Sequence, residues 1–181
     1  MRRLTYAIVV AGAVLCADTS TAVITCDPTT TDCPPPPPPT TGSINCDGAA
    51  LSPGVIWPPD HKMVPLTIVG VTTDQTLMPV AITITGIYQD EPVNALGSGN
   101  TAPDGYAVNA TTSTGTSTAY VRAERAGPGT GRIYYITFTA TDQSGVSCGP
   151  KTLQAYVPHD QGQGYAPIDT GQQYNSTQIP P

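Results

Sequence analysis

The sequence predicts an all-β protein, an immunoglobulin-like antiparallel β-sandwich of about seven strands, and three observations support this. Twenty prolines and eighteen glycines in 181 residues, together with many Thr, Val and Ile, favour short strands joined by turns. Residues 132–141 alternate between apolar and polar, which is the period of a half-buried strand. No segment after residue 22 has apolar residues at the spacing of an amphipathic helix.

The first 22 residues have the pattern of a secretory signal peptide. Arg2 and Arg3 supply a charged start, residues 4–15 form an apolar core, and residues 20–22 (STA) match a small-x-small cleavage site. The apolar core is shorter than the roughly 20 residues that a membrane span needs. Two alternatives are that this segment is not cleaved and anchors the protein, or that the protein is a lipoprotein acylated at Cys16. We expect a secreted or cell-surface protein with no membrane span once the signal is removed.

The charge balance disfavours two classes of partner. The chain carries seven basic and thirteen acidic side chains, a formal net charge of -6. Nucleic acids and anionic membranes attract basic surfaces, so we expect neither of them as a partner.

Four cysteines follow the predicted signal peptide, and their even number in an exported chain predicts two disulfides. Three pairings are possible from the sequence alone. We favour Cys26–Cys33, which closes a small loop, together with Cys46–Cys148, which joins the first strand of the domain to the last. A zinc site is the competing use of these cysteines, but there is no C-x2-C pair, and an oxidising compartment disfavours it.

The mature chain is expected to have three segments. Residues 23–42 contain a cysteine loop and six consecutive prolines, which form a stiff polyproline II rod of roughly 19 Å at about 3.1 Å per residue. Residues 43–160 hold the sandwich, and residues 161–181 are expected to be a disordered polar tail. Strands A to G are expected near residues 43–46, 63–71, 79–88, 106–111, 119–124, 132–142 and 151–157.

Two local features refine this assignment. Gly86 is expected to mark a β-bulge in strand C, because an isolated glycine inside a strand pattern often does so. Strands E and F are expected to pair as a β-hairpin, closed by the glycines and proline between residues 127 and 131.

Successive strands of this topology run in opposite directions, so the A-B, C-D and E-F connections and the end of strand G share one end of the molecule. We call this end the polar pole. Its expected members are Asp60, His61, Lys62, Asp90, Glu91, Arg122, Glu124, Arg125, His159 and Asp160.

Three interpretations of the polar pole remain open. The favoured one is a charge network, in which Lys62, Arg122 and Arg125 pair with the carboxylates. The second is a calcium site, because calcium takes six to eight oxygen ligands. The third is a zinc or other transition-metal site built on His61 and His159 with one or two carboxylates. The carboxylates available to a metal are Asp60, Asp90, Glu91, Glu124 and Asp160.

Four motifs between residues 43 and 160 carry a family resemblance: WPPDHKMVP, DEP, RAERxGxGxGRxYxITxTATDxSG and VPHDQ. In this order they resemble an immunoglobulin-like module of large exported bacterial proteins, often found beside hyalin-repeat domains. More remotely, RAER followed by YxIxFxAxD is similar to the calcium-binding strand pair of cadherins. Arg122 and Ala123, however, stand where the cadherin pattern has an Asp and an Arg. The resemblance implies an extracellular structural or adhesive module without catalytic activity.

The expected function is that of an exported structural or adhesive module on a Pro-rich spacer. Its expected contacts are copies of itself, another surface protein or a glycan. The alternative is a ligand-binding module, in its specific form one that binds carbohydrate with calcium, with Tyr135 and Tyr156 as exposed rings. Trp57 is expected in the core. We expect neither an enzyme nor a cofactor other than this calcium, because no nucleophile lies in a recognisable elbow.

Overall fold

The computed structural model describes residues 14–17, 23–26, 42–74, 80–94, 96–110, 117–160 and 167–180. The chain divides into two units, residues 1–40 and 41–181. In the first unit, β1 (Val14–Ala17) pairs antiparallel with β2 (Val23–Cys26), which was not predicted from the sequence. Cys33 lies outside the described residues, so the Cys26–Cys33 disulfide stays a prediction. Among the described residues, no helix is long and apolar enough to cross a membrane.

The second unit is an all-β antiparallel sandwich, as predicted, and it is formed by two four-stranded sheets rather than by about seven strands in all. One sheet has the order β4-β5-β9-β8 and the other the order β11-β10-β7-β12, while β3 and β6 form a small third sheet. The strands in the described part of this unit are β3 (Ile44–Asn45), β4 (Ala50–Ser52), β5 (Met63–Val69), β6 (Thr72–Thr73), β7 (Val80–Gln89), β8 (Gly105–Val108), β9 (Thr118–Arg122), β10 (Gly131–Asp142), β11 (Ser147–Pro158) and β12 (Tyr174–Asn175).

The strand order is that of a constant-type immunoglobulin domain. Strands A, B, E and D form one sheet as β4, β5, β9 and β8, and strands G, F and C form the other as β11, β10 and β7. Strand A is therefore residues 50–52 rather than the predicted residues 43–46, which form β3 in the small third sheet. Strands E and F therefore lie in different sheets, and the predicted E-F hairpin is wrong. Gly and Pro residues reverse the chain direction, but they do not determine whether the flanking strands pair. Here both strands bury one face in a common core from opposite sides.

The core lies between the two sheets and contains the inward side chains predicted for strands E and F. Strand β10 is nevertheless not half-buried as expected, because Ile133 and Tyr135 on its other face are also buried. The Tyr135 hydroxyl donates a hydrogen bond to Asp169, which lies near the end of the chain. Tyr135 is therefore not the exposed ring that the sequence suggested. The buried inward residues of the two strands are Ala119, Val121, Tyr134, Ile136, Phe138 and Ala140.

Residues 167–180 form what we call the C-terminal strap, which corrects the expectation of a disordered tail for this part of the chain. Tyr174 pairs with Gln89, and Asn175 pairs with Tyr88, which adds β12 to the free side of β7. Ser176 is buried. The strap has no apolar periodicity because backbone hydrogen bonds to a sheet edge can hold a polar segment, and composition does not reveal such bonds.

Trp57 occupies a different place from the one predicted. Its side chain is 39% exposed, whereas the preceding Ile56 is buried in the core. Residues 54–56 run beside β11, where the Ile56 N–H donates to the Tyr156 carbonyl oxygen at 2.8 Å and the Tyr156 N–H donates to the Gly54 carbonyl oxygen at 2.9 Å. In extended backbone, neighbouring side chains point to opposite sides, so an inward Ile56 turns Trp57 outward.

Cys46 and Cys148 form a disulfide, the pairing favoured from the sequence. Their Cα atoms are 6.0 Å apart, and they are separated by 102 positions in the sequence. Cys46 follows β3 and is buried, and Cys148 is the second residue of β11. The bridge therefore joins the first part of the domain to β11, which is strand G of the sandwich.

Gly131, the first residue of β10, is expected to tolerate no larger side chain. Its φ is +115°, and an added Cβ would lie 2.6 Å from the Val157 carbonyl oxygen and 2.9 Å from Pro167 Cγ. We expect Gly131→Ala to lower the free energy of unfolding by more than the roughly 1–3 kcal/mol that backbone strain alone costs. Gly145→Ala is the matched control, because Gly145 has a φ of +87° but no neighbour near its Cβ position. Equal losses in urea denaturation would contradict the predicted clash.

Candidate functional site

A buried arginine, Arg132, lies at the centre of the polar pole. Its Nη1 donates to Asp104 Oδ2 at 2.8 Å and to Glu124 Oε1 at 3.1 Å, and its Nε donates to Glu91 Oε2 at 3.0 Å. The side chains of Arg132, Asp104 and Glu124 are fully buried, and that of Glu91 is 12% exposed. We call these four residues the buried charge cluster.

Each member of the buried charge cluster comes from a different part of the fold. Glu91 follows β7, Asp104 precedes β8, Glu124 follows β9, and Arg132 is the second residue of β10. Arg132 and Tyr134 are two positions apart on β10 and therefore lie on the same, inward face of the strand. The Arg132 side chain is buried between the sheets at the end of the core. One guanidinium therefore joins both ends of the C-D connection to the E-F connection.

Two inward polar side chains complete the surroundings of the cluster. Gln89 Nε2 donates to Asp104 Oδ2 at 2.8 Å and to the Glu91 carbonyl oxygen at 2.9 Å. A register shift beside Gly86, where a bulge was predicted, brings this part of β7 to the buried side. The Tyr134 hydroxyl accepts from Arg132 Nη1 at 3.1 Å, and the guanidinium carbon lies 5.7 Å from the centre of the Tyr134 ring.

Arg122 and His61 extend the cluster towards the A-B connection. Arg122 donates from Nη1 to the His61 carbonyl oxygen at 3.0 Å and from Nη2 to the Pro103 carbonyl oxygen at 2.8 Å. Its Nε lies 3.8 Å from Asp104 Oδ1 and 3.9 Å from Glu124 Oε2. His61 Nδ1 is 3.2 Å from Glu124 Oε2. Arg122 thus ties two connections together mainly through backbone carbonyls.

The carboxylates of the pole differ in their affinity for protons. Burial raises the pKa of Asp104 to about 6, although Arg132 and Gln89 oppose the change. Burial also acts to raise the pKa of Glu124, but hydrogen bonds, first among them that from Thr101, outweigh it and hold the pKa below its ordinary value. The two carboxyls interact and titrate as a pair, in which the pKa of Asp104 is raised and that of Glu124 is lowered.

The raised pKa of Asp104 predicts that the stability of the domain falls as pH rises from about 4 to 6. The ordinary pKa of this carboxyl is 3.8. Between the two values the folded chain keeps a proton that the unfolded chain has lost, so deprotonation favours unfolding. The shift corresponds to roughly 3 kcal/mol, at 1.36 kcal/mol per pKa unit. Urea denaturation from pH 4 to 7 should show this decline for the native chain relative to Asp104→Asn, and parallel curves would contradict it.

Two of the three cations expected in the charge network lie apart from the cluster. Lys62 Nζ is 2.6 Å from Asp60 Oδ2, in a pair at the surface. Arg125 Nε donates to the His159 carbonyl oxygen at 3.1 Å rather than to a carboxylate. Long flexible side chains at the surface keep their charge in water, so position at the pole does not bring them to the buried acids.

The structure does not bring the five proposed metal-binding carboxylates together. Asp60 contacts Lys62, Asp160 lies 3.5 Å from His159, and Asp90 Oδ1 accepts the Ile133 N–H at 2.9 Å. Glu91 and Glu124 remain, and both contact Arg132. In the described part of the chain, no group of three or more His, Cys, Asp or Glu side chains is arranged to hold a metal ion.

Arg132 and Asp104 were missed from the sequence. Arg132 could have been found, because an arginine at an inward position of an otherwise apolar strand needs a buried partner. Asp104 could not, because residues 89–116 carry no clear period that would place it.

A second candidate surface lies on the outer face of the β4-β5-β9-β8 sheet. Tyr106 on β8 and Tyr120 on β9 are paired in register, and their rings stack with centroids 4.8 Å apart and an interplanar angle of 10°. Pro65 on β5 continues the same row, and Val108 is exposed beside it. We call these four residues the tyrosine face. Tyr106 is 43% exposed.

Comparisons with known proteins give no relative from which a function could be transferred. No protein-family model matches the chain, no curated protein matches it, and no solved structure matches it. The resemblance to a bacterial immunoglobulin-like module therefore stays a prediction.

Proposed function

We propose that the chain is an exported structural or adhesive module, displayed on its Pro-rich spacer at the cell surface or in a secreted matrix. The observation that carries this proposal is the buried charge cluster. Its charged groups bind one another and join the connections at one end of the sandwich. An assembly of this kind fixes the shape of loops that have little apolar content of their own.

The burial of the cluster also argues against a catalytic role for the polar pole. A general acid, base or nucleophile must come within hydrogen-bonding distance of its substrate. Asp104 and Glu124 are fully buried, and Glu91 is 12% exposed and already bound by Arg132. These three carboxylates are therefore used to hold the folded structure together and are not accessible to a substrate.

The tyrosine face is the contact surface that suits the proposed role. Aromatic rings are enriched at protein interfaces because they bury a large area and lose little conformational entropy. Tyr106 and Tyr120 stack on neighbouring strands at the sheet surface, where Tyr106 is exposed and Tyr120 is half-buried. We expect this face to contact another copy of the module or another surface protein.

Glycan binding is the second candidate, and the same ring pair is the observation that favours it. Sugars stack on exposed aromatic rings. One face of Tyr106 is already covered by Tyr120, so the pair offers a sugar fewer free ring faces than two separate rings would. Tyr156 is half-buried and donates its hydroxyl hydrogen to Gln154 Oε1 at 2.9 Å. This candidate is therefore the weaker of the two.

The test is to measure self-association of the native chain by analytical ultracentrifugation and its binding to a panel of polysaccharides. Tyr106→Ala should weaken self-association at least about tenfold, a loss typical of a central aromatic contact. Leu96→Ala is the control, because Leu96 is an exposed apolar residue in the connection between β7 and β8 and on no strand of this sheet. Polysaccharide binding that Tyr106→Ala removes would favour the glycan candidate. Self-association unaffected by Tyr106→Ala would refute the assignment of the tyrosine face.

A further inference from the structure

The C-terminal strap is held to the sandwich mainly through hydrogen bonds. Asp169 accepts from Gln154 Nε2 at 2.9 Å and from the Tyr135 hydroxyl, and the Ile168 N–H donates to Thr130 Oγ1 at 3.1 Å. The large apolar side chains of the strap point to solvent instead. Their exposed fractions are 66% for Ile168, 36% for Tyr174 and 72% for Ile179.

Ser176 makes the strap a bridge between the two sheets. Its N–H donates to the Ile87 carbonyl oxygen at 3.0 Å on one sheet. Its carbonyl oxygen accepts the N–H groups of Asp104 and Gly105, both at 2.9 Å, at the start of β8 in the other sheet. The strap therefore pairs with backbone groups from both layers of the sandwich.

The edge of β7 is covered along its length. The Gln173 N–H donates to the Gln89 carbonyl oxygen at 3.1 Å at one end. Further along, the side-chain amide of Asn109 pairs with both the N–H and the carbonyl of Ile84, and Ser117 donates to the Ile82 carbonyl. Asn109 and Ser117 belong to the sandwich itself, whereas the strap is a separate segment that covers one end of this edge.

We propose that the strap end of β7 is a strand-addition site, which the strap of a second copy of this chain can occupy in place of the chain's own. This proposal rests on the proposed function, in which copies of the module associate, and it states which segment would join two copies. Departure of the strap would free backbone groups of Gln89, Ile87 and Gly105, and unpaired groups at a sheet edge bind an extended segment.

A second copy is the partner whose strap matches this site. Pro167 packs beside Gly131, where a Cβ would not fit, and Asp169 reaches two side chains of the outer sheet face. A strap from another copy would repeat each of these contacts, as in domain swapping. The covalent link gives the chain's own strap a high effective concentration, so exchange is favoured where copies are crowded, as on a surface.

Cross-linking between two variants of the full chain, each with one added cysteine, tests the exchange. Tyr88 and Asn175 are paired in register, so a disulfide between these two positions reports a seated strap. Chains carrying Tyr88→Cys and chains carrying Asn175→Cys are mixed at high concentration and oxidised, and cross-linked peptides are identified by mass spectrometry. We expect a mixed product at least ten times more abundant than that from the control pair Leu96→Cys and Asn175→Cys.

The double variant Tyr88→Cys/Asn175→Cys provides the reference, because it should form the same cross-link within one chain. If that reference forms and the mixed pair gives no more product than the control, the exchange proposal is overturned. Self-association measured on the same samples separates the two proposals. If the chain self-associates but the mixed cross-link does not form, strap exchange is rejected, and association through the tyrosine face still stands.

Discussion

Arg132→Met is expected to lower the free energy of unfolding by about 3–5 kcal/mol, the cost of leaving buried charges without their partner. Methionine keeps most of the apolar volume but none of the donors that reach Asp104, Glu124 and Glu91. Urea denaturation with fluorescence or circular dichroism measures the loss. Lys62→Met is the control, because its ion pair with Asp60 is at the surface and its removal should leave the midpoint unchanged.

A second substitution tests whether the loss of stability in Arg132→Met comes from buried carboxylates that have no partner. Asp104→Asn in the Arg132→Met background removes one of the buried acids and should recover part of the stability. Non-additivity of this kind is expected for residues in direct contact. A loss for Arg132→Met below about 1 kcal/mol, or no recovery in the double variant, would show that the cluster does not hold the pole together.

Removal of the Cys46–Cys148 disulfide, by replacing both cysteines with alanine, is expected to cost about 4–5 kcal/mol. The bridge closes a loop of about 100 residues, and restricting so long a loop greatly lowers the entropy of the unfolded chain. Denaturation midpoints of the double alanine variant and the native chain measure the difference. The pair Cys26→Ala/Cys33→Ala is the control, because these positions lie close in the sequence and outside the second unit. Equal midpoints for the native chain and the Cys46/Cys148 variant would contradict the prediction.

The sandwich could be predicted from the sequence because its strands alternate cleanly and its turns are rich in Gly and Pro. The strand order followed from the fold class and was sufficient to place Glu124 and Glu91 at one end. Whether two strands that follow each other in the sequence pair with one another was harder to predict. The residues of β9 and β10 look like a hairpin locally, and only the shared core decides that they face each other across it.

The contacts of Arg132 and the position of the strap could not be predicted from the sequence, for two different physical reasons. The contacts of Arg132 join segments far apart in the sequence, so no local period reveals them. The β12 part of the strap is held by backbone groups, which every residue possesses, and side-chain contacts such as those of Asp169 join segments far apart in the sequence. Polar composition alone therefore cannot distinguish a strap from a disordered tail.

The disulfide has a further consequence for a module that is pulled by its ends. Tension entering from the N-terminal side reaches Cys46 and passes through the sulfur–sulfur bond to Cys148, so the strands in between carry no load. The bridge keeps roughly 350 Å of chain from extending, at about 3.4–3.6 Å per residue. Outside the bridge, β3, the rest of β11 and the strap remain in the line of force. The domain therefore behaves as a nearly inextensible link, and only the short segments outside the bridge can yield.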